Sequence, residues 1–290
     1  MVREIKKILV LGVGVMGNGI AHVAAQAGYS VHVFDIDQQR VDKGIATIDT
    51  NLRRGLKRGT ITEEQITETM GRVQGFVDLK SACEDVDFVI EAVFENVEVK
   101  VNLYSQLDEV LPKDVVIASN TSTLSISLLA GGSNREEQFI GMHFFNPVPM
   151  MKLCEIITGI GTSEETLALT KEVGTKFGKE VVVSKDSPGF IVNRILIPML
   201  NESMFALDEG VASPEDIDKA VKLGLGHPMG PLTLLDLIGL DTALHVHEAF
   251  YNEFHDSKYR VPPILRRMVA SGRLGRKTGR GFFNYEKATI

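Results

Sequence analysis

The sequence has 290 residues, of which 44% are hydrophobic and 24% are charged, and these proportions are typical of globular chains with one or two buried cores. Its formal net charge of −7 argues against non-specific binding to nucleic acid, and no apolar run is long enough for a membrane-spanning helix. The two cysteines, Cys83 and Cys154, form neither a disulfide framework nor a metal-ligand pattern, so we expect a cytoplasmic protein without a signal peptide, a metal site or a membrane partner.

The first predicted elements are a strand, a glycine-rich turn, a helix and a second strand. An apolar run at 5–11 leads into Gly-Val-Gly-Val-Met-Gly at 12–17, and an alanine-rich helical stretch follows up to the capping glycine Gly28. A β-rich run at 30–34 then ends at Asp35. This order is typical of a dinucleotide site, whereas a glycine-rich run alone is compatible with a purely structural turn.

Each residue of this pattern has a physical role at a dinucleotide. Gly12 permits a tight turn, Gly14 lets the backbone approach a pyrophosphate, and Gly17 allows close helix packing. The helix N-terminus offers free N–H groups to the phosphates. Asp35 follows Gly17 by 18 residues (35 − 17), where a carboxylate accepts hydrogen bonds from ribose hydroxyls and repels a 2′-phosphate. The sequence therefore predicts NAD rather than NADP, although Arg40 could reach a phosphate.

Three further buried strands alternate with helical stretches: 87–93, 115–120 and 139–144. We therefore predict an α/β fold with a Rossmann-type, doubly wound and mostly parallel sheet. Ligands of such sheets bind beyond the carboxyl ends of the strands. Three polar residues lie at or just past those ends: Glu95, Asn120 and His143.

His143 stands between Met142 and two phenylalanines, and Glu155 follows twelve residues later (155 − 143). One interpretation is a core histidine with a backbone partner. The other is a catalytic base in a dry pocket, with its tautomer fixed by the glutamate. These residues alone favour the core histidine, but together with the motifs given below they favour the base.

The segment from 41 to 78 interrupts the alternation with polar, helix-forming residues. It contains a basic cluster: Arg53, Arg54, Lys57 and Arg58. We expect a helical hairpin inserted in the sheet domain. Its basic face is either simply solvated or holds the phosphates of a large anionic substrate, and the sequence favours neither.

The second half of the chain has helical periodicity. A helix predicted over 190–210 contains Asn193, which alone is more typical of a satisfied buried amide than of a ligand group. Ser213 caps a further helix, and an amphipathic stretch covers 232–254. The apolar stripes exceed the needs of one small bundle and predict a homodimer. The sequence thus predicts two domains: an NAD-binding Rossmann-type domain at 1–186 and an all-helical substrate and dimerisation domain at 187–290.

Four motifs resemble, in this order, those of the short-chain 3-hydroxyacyl-CoA dehydrogenases: Ser119-Asn120-Thr121-Ser122, His143-Phe144-Phe145-Asn146-Pro147, Pro188-Gly189-Phe190-Ile191-Val192-Asn193-Arg194 and His227-Pro228-Met229-Gly230-Pro231. The resemblance covers nearly the whole chain and is greatest to the bacterial 3-hydroxybutyryl-CoA dehydrogenases. It implies NAD-dependent oxidation of (S)-3-hydroxyacyl-CoA to 3-oxoacyl-CoA, and the reverse. It further implies short acyl chains, such as 3-hydroxybutyryl-CoA and acetoacetyl-CoA, and a place in fatty acid β-oxidation or butyrate metabolism.

The resemblance also implies roles for single residues. His143 would be the general base oriented by Glu155, while Ser122 and Asn193 would bind the reacting oxygen of the acyl-CoA substrate. Two basic residues would hold the CoA phosphates, although the hairpin matches the family poorly residue by residue: Arg54 and Lys57. The glycine-rich pattern and the resemblance together give the expected NAD-binding residues: Gly12, Gly14, Val15, Met16, Gly17, Asp35, Glu95, Lys100 and Asn120.

Three alternatives stay open. A β-hydroxyacid dehydrogenase for free acids would rely on a lysine in its second domain, and the His143 and Glu155 pair argues against it. A non-enzymatic NAD-binding protein, like the eye-lens crystallins related to this family, is disfavoured by the intact catalytic set. A redox-sensing regulator would need a nucleic-acid face, which the net charge of −7 does not favour.

Overall fold

The computed structural model describes residues 4–285 and forms two compact units, with the division between Phe190 and Ile191. None of the helices within residues 4–285 is long and apolar enough to cross a membrane. No group of three or more metal-ligating side chains occurs in the same residues.

The first unit contains an eight-stranded sheet with the order β3-β2-β1-β4-β5-β6-β7-β8. All neighbouring strands are parallel except β6 and β7, which are antiparallel. The prediction of a doubly wound, mostly parallel sheet is therefore confirmed. The strands are β1 Lys7–Leu11, β2 Ser30–Phe34, β3 Val73–Phe76, β4 Phe88–Glu91, β5 Val116–Ser119, β6 Phe139–Phe144, β7 Leu153–Thr158 and β8 Glu180–Lys185.

Seven α-helices of the described part of the first unit connect these strands and cover both faces of the sheet. Alternate residues of β1 face different apolar clusters, with Ile8 and Val10 in one cluster and Leu9 and Leu11 in the other. The helices are α1 Val15–Gln26, α2 Gln38–Lys57, α3 Glu63–Gly71, α4 Leu79–Ala82, α5 Val97–Val110, α6 Ile126–Gly131 and α7 Glu164–Lys176.

The inserted helical hairpin consists of α2 and α3. Asp37 caps α2 by accepting a hydrogen bond from the Arg40 N–H, and Thr62 and Gln65 form a reciprocal capping box at α3. The interpretation of 41–78 as helical throughout was wrong at its end, because β3 pairs there with β2. This strand is a short, half-buried edge strand, so it lacks the continuous apolar run that identified the central strands.

The second unit is helical, as predicted. Ser213 caps the helix Pro214–Leu225 (α9) through the Asp216 N–H, and Gly226 ends that helix in the left-handed conformation. The predicted stretch 232–254 is two helices rather than one, because Gly239 adopts a φ of +96° and interrupts it. The helices are α8 Val192–Asp208, α9 Pro214–Leu225, α10 Pro231–Ile238, α11 Leu240–Phe254 and α12 Pro263–Ala270.

Candidate active site

The glycine-rich turn between β1 and α1 has the geometry of a nucleotide-binding loop. Gly12 adopts a φ of +84°, and a Cβ atom there would lie 2.7 Å from the Ala92 carbonyl oxygen. A Cβ at Gly17 would lie 1.7 Å from the Gly12 oxygen, so both positions require glycine. A Cβ at Gly14 would meet nothing within 4 Å. Gly14 therefore leaves open space in front of the backbone, where a ligand can approach.

The N-terminus of α1 and Asp35 complete this loop. No side chain caps α1, whose first two residues are Val15 and Met16, so its N-terminal dipole end is open to an anion. The Asp35 carboxylate accepts hydrogen bonds from the Val13 N–H at 2.9 Å and from the Ile36 N–H at 2.8 Å. Each oxygen keeps a further acceptor position for a ribose hydroxyl. The loop thus fits a dinucleotide.

His143 and Glu155 are brought together by the antiparallel ladder of β6 and β7, in which they are directly opposed. Side chains at opposed positions lie on the same face of a sheet, close enough for contact. The His143 Nδ1 atom lies 2.7 Å from the Glu155 Oε2 atom. Their side chains are 5% and 0% exposed. The two residues are therefore twelve positions apart in the sequence but joined by one short, buried hydrogen bond.

This hydrogen bond determines what the His143 ring can do. A carboxylate can only accept, so the neutral ring carries its proton on Nδ1 and has a lone pair on Nε2. The Nε2 atom takes no part in this hydrogen bond. The rings of Phe145 and Phe190 pack against the imidazole, with centroids 4.5 Å and 5.7 Å away. The geometry is that of an oriented base beside an apolar wall.

The loop after β4, the first turn of α5 and the loop after β5 bring three of the predicted residues together. Glu95 accepts a hydrogen bond from the Ser122 N–H at 3.0 Å, and Lys100 Nζ lies 3.3 Å from its other carboxylate oxygen. Burial alone would raise the pKa of Glu95, but the Lys100 ammonium and its hydrogen-bond donors hold this pKa below its usual value. Lys100 itself is 1% exposed and donates to Glu91 at 2.6 Å.

Glu91 was not recognised from the sequence. It is the last residue of β4 and is fully buried, next to the run Phe88-Val89-Ile90. A carboxylate at the end of such an apolar run is the signal that could have identified it, because a buried charge requires partners.

Asn120 connects the neighbouring strand ends. Its side-chain oxygen accepts a hydrogen bond from the Phe144 N–H at 2.9 Å, and its own N–H donates to the Glu91 carbonyl oxygen at 2.8 Å. This amide oxygen therefore supports the end of the strand that carries His143. These two hydrogen bonds do not use the side-chain amide nitrogen of Asn120, which can donate to a cofactor.

The basic hairpin borders a cavity of about 340 Å³ in the first unit. Arg54 lines this cavity, whereas Lys57 is an exposed residue at the end of α2 and does not. Arg58, which was not among the predicted substrate-binding residues, lines it as well. The opposite wall comes from the segment that follows β6: Pro147, Pro149 and Met150.

Asn193 lies in the first turn of α8, in the second unit, and is partly buried. Its neighbour Arg194 stacks its guanidinium over the Phe254 ring, 4.0 Å from the centroid.

Comparison with known proteins gives one consistent result. Residues 7–187 match the model of the 3-hydroxyacyl-CoA dehydrogenase NAD binding domain, and residues 189–285 match that of the 3-hydroxyacyl-CoA dehydrogenase C-terminal domain. The chain is 48% identical to the 3-hydroxybutyryl-CoA dehydrogenase of Bradyrhizobium diazoefficiens over 288 residues, which cover 99% of this chain and 98% of that protein.

Two further relatives agree. A probable 3-hydroxybutyryl-CoA dehydrogenase of Bacillus subtilis is 46% identical over 286 residues, which cover 99% of each chain. The crystal structure of (S)-3-hydroxybutyryl-CoA dehydrogenase from Ralstonia eutropha superposes with a TM-score of 0.95 at 47% identity, covering 98% of this chain and 100% of that one. The protein therefore belongs to the 3-hydroxyacyl-CoA dehydrogenase family, and its first unit is the NAD-binding domain of that family.

Proposed function

We propose that the protein is an NAD-dependent (S)-3-hydroxyacyl-CoA dehydrogenase that interconverts short-chain substrates, such as 3-hydroxybutyryl-CoA and acetoacetyl-CoA. The observation that carries this proposal is the buried hydrogen bond of His143 with Glu155 at the carboxyl end of β6. That strand belongs to the same sheet as the nucleotide-binding loop. The names of the relatives from Bradyrhizobium and Ralstonia support the short acyl chain.

In the oxidation direction, His143 Nε2 takes the proton of the C3 hydroxyl. NAD, when bound, supplies the chemistry of hydride acceptance from C3. The imidazolium that forms is stabilised by the Glu155 carboxylate at 2.7 Å. Because both side chains are buried, this stabilisation is stronger than it would be in water. In the reduction direction the same imidazolium returns the proton.

Ser122 and Asn193 are proposed to bind the oxygen at C3. The Ser122 backbone is held by Glu95, which leaves its hydroxyl available for a ligand. Donors that are fixed before the reaction stabilise charge on an alkoxide without reorganisation. Asn193 lies in the first turn of α8 and offers an amide with both a donor and an acceptor.

The cavity beside the basic hairpin is proposed to receive the CoA moiety. Arg54 and Arg58 line it, and guanidinium groups bind phosphates through two parallel hydrogen bonds. Lys57 at the end of α2 would add positive charge near the cavity without lining it.

We also propose a cytoplasmic homodimer that associates through the helical unit. Large apolar side chains are exposed on that unit, and exposed apolar clusters commonly mark protein interfaces. The most exposed of them are Ile195, Val211, Leu223 and Leu225. Light scattering of the purified protein at several concentrations tests this proposal, which predicts twice the mass of one 31.8 kDa chain.

The test of the proposed reaction is the oxidation of NADH by acetoacetyl-CoA, measured beside free acetoacetate and beside NADPH. Rapid turnover only with the CoA ester and NADH is the expected result. Equal turnover of free acetoacetate would indicate a different β-hydroxyacid dehydrogenase. Tight NADH binding without turnover of any acyl-CoA would support a non-enzymatic member of the family.

A further inference from the structure

We propose that Glu91 is a positioning residue of this active site: its buried carboxylate fixes Lys100, and through Lys100 it holds Glu95 against the turn that carries Ser122. The inference rests on the proposed function, because it concerns the same reaction. The described hydrogen bonds of the Glu91 side chain reach neither the glycine-rich loop nor His143, so any effect of Glu91 on the reaction is indirect.

The acceptor capacity of Glu91 is used completely inside the protein. Its Oε1 atom accepts from Lys100 Nζ at 2.6 Å and from the Val93 N–H at 2.7 Å. Its Oε2 atom accepts from the Tyr104 hydroxyl at 2.5 Å and from the Ser119 hydroxyl at 2.7 Å. A carboxylate has about four acceptor positions. Glu91 therefore has no position left for a ligand, and it acts on the site only through its partners.

Stability alone does not explain this arrangement. Glu91 and Lys100 are 0% and 1% exposed, and a buried ion pair of this kind is often no more stabilising than well-packed apolar side chains of the same volume. The four donors to Glu91 come from three places that converge at the carboxyl edge of the sheet: two side chains of α5, the Ser119 hydroxyl at the end of β5 and the Val93 N–H in the loop after β4. That edge is where ligands of doubly wound sheets bind.

Lys100 links Glu91 to the active site through two ion pairs. Its ammonium is shared between the Glu91 carboxylate at 2.6 Å and the Glu95 carboxylate at 3.3 Å. Glu95 is 38% exposed, and its other oxygen accepts from the Thr121 hydroxyl at 2.5 Å and from the Ser122 N–H at 3.0 Å. The series of contacts thus begins at a fully buried anion and ends at the backbone of a proposed substrate-binding residue.

Removal of the Glu91 charge alters this series in a defined direction. The ammonium of Lys100 then has a single carboxylate partner within residues 4–285, and it moves toward Glu95. The Glu95 carboxylate follows the ammonium and weakens its hydrogen bonds to the Ser122 turn. The Ser122 hydroxyl loses its fixed orientation, and displacements of about 1 Å are enough to reduce a rate by about 100-fold.

The experiment compares Glu91→Gln with the wild-type protein in the reduction of acetoacetyl-CoA by NADH. Glutamine has the same size and still accepts from Tyr104 and Ser119, but it carries no charge. We expect kcat to fall about 10-fold to 100-fold, with KM for both substrates within about threefold. Glu98→Gln is the matched control, because it makes the same charge change on the exposed side of the first turn of α5 and should leave kcat unchanged.

A double-mutant cycle with Ser122→Ala separates positioning from a merely structural role. If Glu91 acts through Ser122, Glu91→Gln lowers kcat/KM much less in the Ser122→Ala background than in the wild type. If its role is only structural, the same fold-loss occurs in both backgrounds and the inference is overturned. Wild-type kcat in Glu91→Gln overturns it as well.

Two further outcomes are informative. If Glu91→Gln does not fold, Tyr104→Phe removes one donor to the same carboxylate and keeps its charge, and we expect a loss of kcat of about threefold that again disappears in the Ser122→Ala background. A wild-type protein that does not reduce acetoacetyl-CoA overturns the proposed function together with this inference. An active wild type with an unaffected Glu91→Gln variant overturns the inference alone.

Discussion

The exchange Glu155→Gln removes the charge beside His143 and preserves the size of the side chain. In the wild type the two interacting atoms are 2.7 Å apart and both side chains are buried. Two unit charges about 4 Å apart interact by about 4 kcal/mol at an effective dielectric constant of about 20, and about 1.4 kcal/mol corresponds to a tenfold change in rate. Because part of this energy offsets desolvation, we expect kcat to fall by about 100-fold to 1,000-fold.

Glutamine also permits the wrong tautomer of His143. Its amide group can donate a hydrogen bond to Nδ1, which moves the ring proton to Nε2 and removes the lone pair that accepts the substrate proton. This effect acts on kcat and not on the binding of NADH. The assay is therefore steady-state turnover of acetoacetyl-CoA combined with NADH binding by fluorescence.

Glu180→Gln serves as the control, since Glu180 is an exposed carboxylate on the adjacent strand β8. A loss of kcat of less than about threefold in Glu155→Gln would refute the role of this charge. A loss confined to KM would refute it as well.

Three further predictions concern the cofactor, the strand ends and pH. Asp35→Ala should weaken NADH binding about tenfold and leave NADPH binding nearly unchanged, because the carboxylate is proposed to accept hydrogen bonds from the ribose hydroxyls; equal losses in titrations of both nucleotides would contradict the ribose role. Asn120→Ala leaves the Phe144 N–H without its acceptor and should lower both kcat and the melting temperature; unchanged kcat would show that this strand end does not position His143. Burial lowers the pKa of His247 from 6.5 to about 4, so the unfolded chain binds more protons and stability is lost as the pH falls from about 6.5 to about 4. The stability advantage of His247→Leu over the wild type, measured as the free energy of unfolding in urea, should therefore be about 2 kcal/mol larger at pH ~5 than at pH ~7. If the two proteins show the same dependence of this free energy on pH, the assignment is refuted.

Five of the eight strands were predictable because each contains a short, mostly apolar run of β-forming residues. The approximate positions of β1, β2, β4, β5 and β6 follow from the sequence alone. Strand β3 is a half-buried edge strand within a polar segment, so its pattern does not distinguish it from a helix end. The break at Gly239 also escaped prediction, because the apolar periodicity continues on both sides of that glycine.

A candidate site residue was predictable where a side chain suited to catalysis follows directly on a recognisable strand. His143 lies at the end of an apolar strand, and Glu155 lies within reach only because β7 returns antiparallel to β6. The spacing of twelve residues does not by itself require β7 to run antiparallel to β6. Glu91 was missed because its donors are spread from Val93 to Ser119, and a single carboxylate at the end of a strand does not reveal that four donors converge on it.

The proposed transfer of the substrate proton by His143 is tested most directly by His143→Ala. The measurement is the rate of NADH oxidation at saturating acetoacetyl-CoA, with NADH affinity determined on the same sample. His245→Ala, an exchange at an exposed histidine, is the control. We predict that His143→Ala lowers kcat by at least about 1,000-fold, while the dissociation constant of NADH stays within about twofold. Turnover within tenfold of the wild type, or a loss of activity that is accounted for by lost NADH binding, would contradict the assignment of His143 as the base.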